Sequence, residues 1–217
     1  MDTALFEYLQ SYLTPRRKEL FDQVVARRSR FLTVVTEDVY QLHNSSAVMR
    51  SCEVFGVQDV HIIEENLGKK LDREIAMGAQ KWIDVHRHSQ AESCMQQLRE
   101  QGYQLIATTP HNDSCLLETF ELNRPVALFF GKEKEGVSPA VMEHADGYLK
   151  IPMYGFTESL NISVSAAIII QELTRRMRAQ DLPWQLSEQD QRELLERWTM
   201  RSIKSVDRII DRFYKKS

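Results

Sequence analysis

The chain has 217 residues, 42% of them hydrophobic, enough to bury one substantial core with short appendages at its ends. With 28 Lys and Arg against 31 Asp and Glu the formal charge is −3, which argues against a uniformly basic nucleic-acid binder. No run of about 18 apolar residues occurs and the first 30 residues are charged, so we expect a cytoplasmic protein without a membrane partner. Cys52, Cys94 and Cys115 are odd in number and too far apart for a C-x-x-C site, so neither a disulfide framework nor a cysteine metal site is expected.

The net charge hides an asymmetry. Residues 15–30 hold six basic and two acidic side chains, and residues 197–217 hold seven and two. The ends therefore carry +4 and +5 and the remainder −12. Contact with a polyanion is expected through the ends.

Taken in order, Thr14 and Pro15 suit an N-cap and first helical position, with Leu20, Phe21, Val24 and Val25 at helical spacing. A basic amphipathic helix is expected to about Arg28. Residues 31–35 are rich in β-formers and predict a strand. Asn44 then suits an N-cap for a helix through Val48, Met49, Cys52 and Phe55, closed by Gly56 in the left-handed conformation. Arg50 stands out on it as a fixed cation among small and apolar residues. Residues 57–63 and 83–88 predict two more strands. His86 and His88 share a face of the second, but no third ligand is visible, so no metal is expected.

Ser89 is expected to cap a helix that Gly102 ends, and residues 104–108 predict a buried strand closing in Thr108, Thr109 and Pro110. Residues 126–130 form a continuous apolar run, the pattern of a parallel strand covered on both faces, and the polar loop 131–136 follows it directly. A helix is expected from Ser138 and Pro139 to about Ala145, then a strand over 148–151. Pro152 and Gly155 hold residues 152–158 in a loop, which feeds a helix starting near Ser159 or Leu160 and running to Arg178. Strands alternating with helices predict an α/β domain, with a mostly parallel sheet of five or six strands and helices on both faces.

Beyond residues 181–184, Ser187 and Asp190 resemble a capping box and one or two helices reach the end. There Arg197, Arg201, Lys204, Arg208, Arg212 and Lys215 recur at steps of three and four, which on one helix would make a continuous cationic band. The expected organisation is a basic helical extension over 1–30, the α/β domain over 31–178 and a helical extension over 179–217.

The common dinucleotide, P-loop and nucleophile-elbow patterns are absent. Three other stretches carry a resemblance: N-S-S-A-V-M-R over 44–50 ahead of F-G-V over 55–57, F-G-K-E-K-E-G-V-S over 130–138, and I-P-M over 151–153 ahead of S-L-N-I-S-V-S over 159–165. In order and spacing they resemble the motifs of the SPOUT RNA 2′-O-methyltransferases. His43 before Asn44, and Lys81-Trp82 downstream, look like the TrmH branch of that family, which methylates guanosine 18 of tRNA. The chain departs from the pattern at Ser45-Ser46, where the larger family often has glycine, and shares no motif beyond Arg178.

The resemblance implies S-adenosylmethionine as cofactor, tRNA as substrate, a C-terminal trefoil knot around residues 128–170, and a homodimer through the knot helices. It makes Arg50 the group that activates the ribose hydroxyl. Asn44, Ser159 and Asn161 would orient Arg50 or the ribose, and Glu133 would organise the site. Cofactor binding would fall to Thr108, Gly131, Ile151, Met153 and Leu160. RNA binding would fall to Arg16, Arg17, Arg27, Arg28, His43, Arg175, Arg201, Arg208 and Arg212. A ribosomal RNA 2′-O-methyltransferase of the same superfamily, or a non-catalytic RNA-binding protein with the fold, would share these features.

Overall fold

Strands β1 (Leu32–Glu37), β2 (Asp59–Ile63), β3 (Asp84–His88), β4 (Gln104–Thr108), β5 (Cys115–Leu116), β6 (Val126–Phe130) and β7 (Gly147–Lys150) form one sheet in a computed structural model. Their order is β3-β2-β1-β6-β4-β7-β5, and every pairing is parallel. The structure describes residues 1–39, 41–65, 78–110, 114–132 and 135–216. Those residues divide into two compact units, Ser29–Trp184 and the union of Met1–Arg28 with Gln185–Ser217.

In the larger unit the alternation of strand side chains sorts the core into two layers. Val34, Val60, Ile62, Leu128 and Phe130 face α3 (Leu42–Phe55) and α6 (Ile162–Ala179), meeting Val48, Cys52, Ile169 and Leu173. Val35, Ile63, Leu105, Ala127 and Phe129 face the other way, onto α4 (Ala91–Glu100) and α5 (Pro139–His144) through Cys94, Leu98 and Val141. Burial on both faces explains why β1, β2 and β6 are buried along their whole length and why β6 reads as an unbroken apolar run. All seven C-terminal strand ends lie on one side of the sheet.

Several local expectations need correction. The sheet has seven strands among the described residues; the extra pairing is β5, two residues long beside β7. Asn44 does not cap α3, which begins two residues earlier after Gln41. α6 begins at Ile162 with Asn161 as its cap, and α4 after Gln90 instead of Ser89. Gly56 does close α3 at φ 82.

The smaller unit contains α1 (Thr3–Gln10), which the sequence reading did not identify, α2 (Pro15–Val25), α7 (Glu188–Ser202) and α8 (Val206–Lys216). Leu5, Phe6, Leu9, Phe21, Val25, Leu194 and Trp198 are buried within it, and Phe21 meets Trp198 edge-on at 5.6 Å. Ser187 caps α7 by accepting from the Asp190 amide, as expected. The helix then stops, and Ser205 takes φ 53 before α8 starts. The cationic band is therefore split, with Arg197 and Arg201 on α7 and Arg208, Arg212 and Lys215 on α8. No helix among the described residues is long and apolar enough to cross a membrane.

Candidate active site

A cavity of about 380 Å³ opens where β4, β6 and β7 end side by side. This is the crevice in which parallel α/β sheets bind ligands. Three loops and the start of α6 wall it. Thr108 ends β4 and Thr109 and Pro110 follow it, Gly131, Lys132, Glu135 and Gly136 follow β6, and Ile151, Met153, Ser159 and Leu160 follow β7. The structure thus brings Thr108, Gly131, Ile151, Met153, Leu160 and Ser159 to one cavity, although 51 positions separate the first from Ser159. The Thr108 hydroxyl donates to the Phe129 carbonyl at 2.8 Å, so that side chain fastens β4 to β6 at the rim.

The second loop is tight because its ends pair with each other. Lys132 and Gly136 exchange backbone hydrogen bonds of 2.8 and 2.9 Å, and Gly136 sits at φ 71. Gly131 is pressed against the returning chain, so that a Cβ there would lie 2.1 Å from the Gly136 carbonyl and the Val137 nitrogen. Only glycine fits. Below it, the buried Glu37 carboxylate accepts from the Ser138 amide at 2.7 Å and ties the end of β1 to the start of α5. The Lys132 ammonium lies 3.0 Å from Glu135 and 4.0 Å from Asp38, which places a cation on the cavity wall.

Asn161 joins two helix starts. Its side-chain oxygen accepts from the Ser163 amide and hydroxyl at 2.8 and 2.6 Å, fixing the first turn of α6. Its amide nitrogen donates to Asn44 at 3.2 Å, and Asn44 donates to Gln41 at 3.1 Å. Asn44, buried in the first turn of α3, is held by both ends of its amide. The junction borders the cavity through Leu160 and Ile162, which flank Asn161 and line it.

Arg50 is not part of this group. It does not line the cavity, is exposed on α3, and lies six residues past Asn44, about 9 Å along the helix axis. Glu133 lies outside the described residues. Thr109, Lys132 and Glu135 line the cavity from the loops expected to bind the cofactor, although not singled out there, and Ser165 joins them from α6. Ser165 had a signal, since it follows Asn161 by one helical turn and shares its face.

Among the residues expected to meet RNA, Arg16, Arg17, Arg27, His43, Arg175, Arg201, Arg208 and Arg212 are exposed. Arg175 already forks onto Glu172 at 2.8 and 3.0 Å. Arg28 is a correction. It is 1% exposed, with its guanidinium 5.6 Å from the Trp198 ring, so it is a core contact of the smaller unit and not a phosphate ligand.

Comparison with known proteins adds the following. A model of the SpoU rRNA Methylase family matches residues 31–171. A Borreliella burgdorferi protein named tRNA (guanosine(18)-2′-O)-methyltransferase is 35% identical over 197 residues, covering 91% of this chain and 90% of that one. The Thermus thermophilus protein of that name is 36% identical over 75% of this chain and 84% of its own length. Among solved structures, the A. aeolicus TrmH/SpoU tRNA modifying enzyme superposes with a TM-score of 0.77 at 28% identity, over 88% of this chain and 98% of that one.

Proposed function

Because the chain belongs to the SpoU rRNA methylase family, we propose that it is an S-adenosylmethionine-dependent tRNA methyltransferase acting on the ribose 2′-hydroxyl of guanosine 18. The observation that carries this reading is the cavity at three adjacent strand ends, bordered by the Asn161 junction. Its volume is at the lower end of the range of about 300–1,000 Å³ typical of small-molecule sites. Ile151, Met153, Leu160 and Ile169 offer apolar walls, while Ser159, Ser165 and loop backbone offer polar contacts. The apolar walls suit the adenine ring and methylene groups of S-adenosylmethionine, and the polar contacts suit its ribose and its charged methionine end. The name shared by the curated relatives favours tRNA over ribosomal RNA.

The bound cofactor would supply an electrophilic methyl group on sulfur. The protein has to hold the ribose oxygen in line with it and help that oxygen lose its proton. A guanidinium stays protonated in proteins, so the contribution assigned to Arg50 is its charge, which lowers the pKa of the hydroxyl and holds a neighbouring phosphate. Asn161 and Asn44 keep two helix starts in register, and Ser159 faces the same space.

Arg50 does not line the cavity of its own chain, so in this reading a second copy supplies it. A homodimer is therefore part of the proposal, and the surface supports it. Leu160, Val164 and Ile168 form an exposed apolar stripe near α6's start, and Val54, Tyr154 and Phe156 are also exposed. Family membership further supports a trefoil knot around residues 128–170, a rare chain path. It supports action on tRNA in the cytoplasm, with the exposed arginines of α2, α7 and α8 contacting phosphates.

Methyl transfer to tRNA transcripts tests the proposal. Labelled cofactor should yield 2′-O-methylguanosine at nucleotide 18 and nothing when that nucleotide carries a 2′-deoxyribose. Label confined to ribosomal RNA would overturn the substrate, and failure to bind the cofactor would favour a non-catalytic RNA-binding protein.

A further inference from the structure

At the edge of the sheet away from the cavity, β2 and β3 bring histidines together that the function does not use. The register sets His61 opposite His86 and Ile63 opposite His88, so the three imidazoles stand on the face covered by α4. His61 is buried, with its ring nearly parallel to those of His86 and His88 at 4.6 and 5.2 Å. Its Nδ1 lies 2.9 Å from His88 Nε2. From α4, Cys94 presents a buried free thiol to the same point. One ring nitrogen each of His61 and His88 and the Cys94 sulfur all lie within 4.8 Å of one another.

We propose that His61, His88 and Cys94 form a transition-metal site, with zinc as the fitting ion. Two imidazoles and one thiolate are a donor set that selects a borderline-soft divalent ion over magnesium or calcium. Around a tetrahedral ion such donors sit roughly 3.5 Å apart, so the widest pair has to close by about 1 Å, which side-chain rotation can supply. β3 is the edge strand and His88 is half-buried, which leaves an entry path and room for water as fourth ligand. His86 is outside the set because its Nε2 is committed to Asp59 at 2.9 Å. Burial, reinforced by the neighbouring imidazoles, pushes His61 down to about 4, so no proton competes for that ring at neutral pH. Burial and then the Glu37 carboxylate push the Cys94 thiol up to about 12. The thiol proton therefore leaves as the sulfur–metal bond forms, as metal binding to cysteine requires.

The site would clamp β3 and α4 to β2, two strands from the nearest cavity wall on β6 and without part in methyl transfer. Hydrogen bonding between two neutral histidines beside a thiol is the rival account of the same atoms.

Cobalt(II) titration of the full, untagged, chelator-stripped chain under reducing conditions separates them. One equivalent should bind with a thiolate-to-cobalt band in the near ultraviolet and visible d–d bands of a tetrahedral ion, and zinc should bleach both. Cys94→Ser should abolish the thiolate band. His88→Asn, at a half-buried position, should weaken cobalt binding by at least about tenfold, while His144→Asn on α5 should leave it unaltered. Absence of a stoichiometric site, a thiolate band surviving Cys94→Ser, or unchanged affinity in His88→Asn would each overturn the proposal. Should Cys94→Ser fail to fold, the His88 variant decides.

Discussion

Replacing Gly131 with alanine adds one methyl group at the most crowded point of the cavity wall. The new carbon would stand 2.1 Å from the Gly136 carbonyl and the Val137 nitrogen, whereas non-bonded carbons settle at about 3.5–4.0 Å. The obstacle is backbone, so the two sides of the loop have to part by more than about 1 Å. The mutual Lys132–Gly136 hydrogen bonds oppose this. Overpacking of this kind costs about 1–3 kcal/mol. If the loop opens to relieve it, Lys132, Gly136 and Val137 leave the wall they share. A loss of about 1.4–2.8 kcal/mol in binding is ten- to a hundredfold in Kd. Calorimetric titration with S-adenosylmethionine should show that weakening in Gly131→Ala. It should show none in Gly155→Ala, where an added Cβ meets nothing within 4 Å. Equal affinities in both variants would refute the placement of the cofactor in this cavity.

Arg50→Ala should lower turnover by about 10² or more with saturating RNA while cofactor affinity by calorimetry stays unchanged; turnover near that of the parent would remove Arg50 from the mechanism. Ile168→Asp places a carboxylate in the exposed stripe of α6 and should yield a folded, inactive monomer in sedimentation, whereas an active monomer would end the shared-site reading. Mixing Arg50→Ala chains with Asn161→Ala chains should restore part of the activity through dimers holding one intact site. Changing Arg201, Arg208 and Arg212 together to Gln should weaken tRNA binding and flatten its log-log salt slope by about two units. An unmoved slope would mean that these side chains face only solvent.

Much of the larger unit was legible because its strands are buried on both faces and its helices carry strong end signals, such as Gly56 after α3 and Pro139 at the start of α5. What failed was local competition. Asn44 has the right chemistry for a cap, yet the chain enters α3 at Leu42, and tertiary contact with Asn161 uses that amide instead. β5 spans two residues and has no period to read. α1 had a readable signal in Asp2, whose carboxylate accepts from the Ala4 amide.

Gly131, Ile151, Met153, Ser159 and Leu160 stand in the matched stretches and Thr108 at a strand end, and periodicity alone would not have gathered them, since three loops far apart in sequence meet only once the strand order is known. Arg28 misled because a cation in a basic stretch looks solvated until Trp198 is seen over it. The cationic stripe misled because a turn at Ser205 resets the helical phase. The histidines show the same limit, for only the β2–β3 register and the passage of α4 overhead bring His61 and Cys94 to His88.

Mapping ribose methylation across total RNA from a strain lacking this gene, and from the same strain carrying it back, decides whether the chain methylates guanosine 18. The deletion strain should lose 2′-O-methylation at guanosine 18 of tRNA, and the parent chain but not Arg50→Ala should restore it. A methylated guanosine 18 that persists in the deletion strain, with a ribosomal position lost in its place, would contradict that assignment.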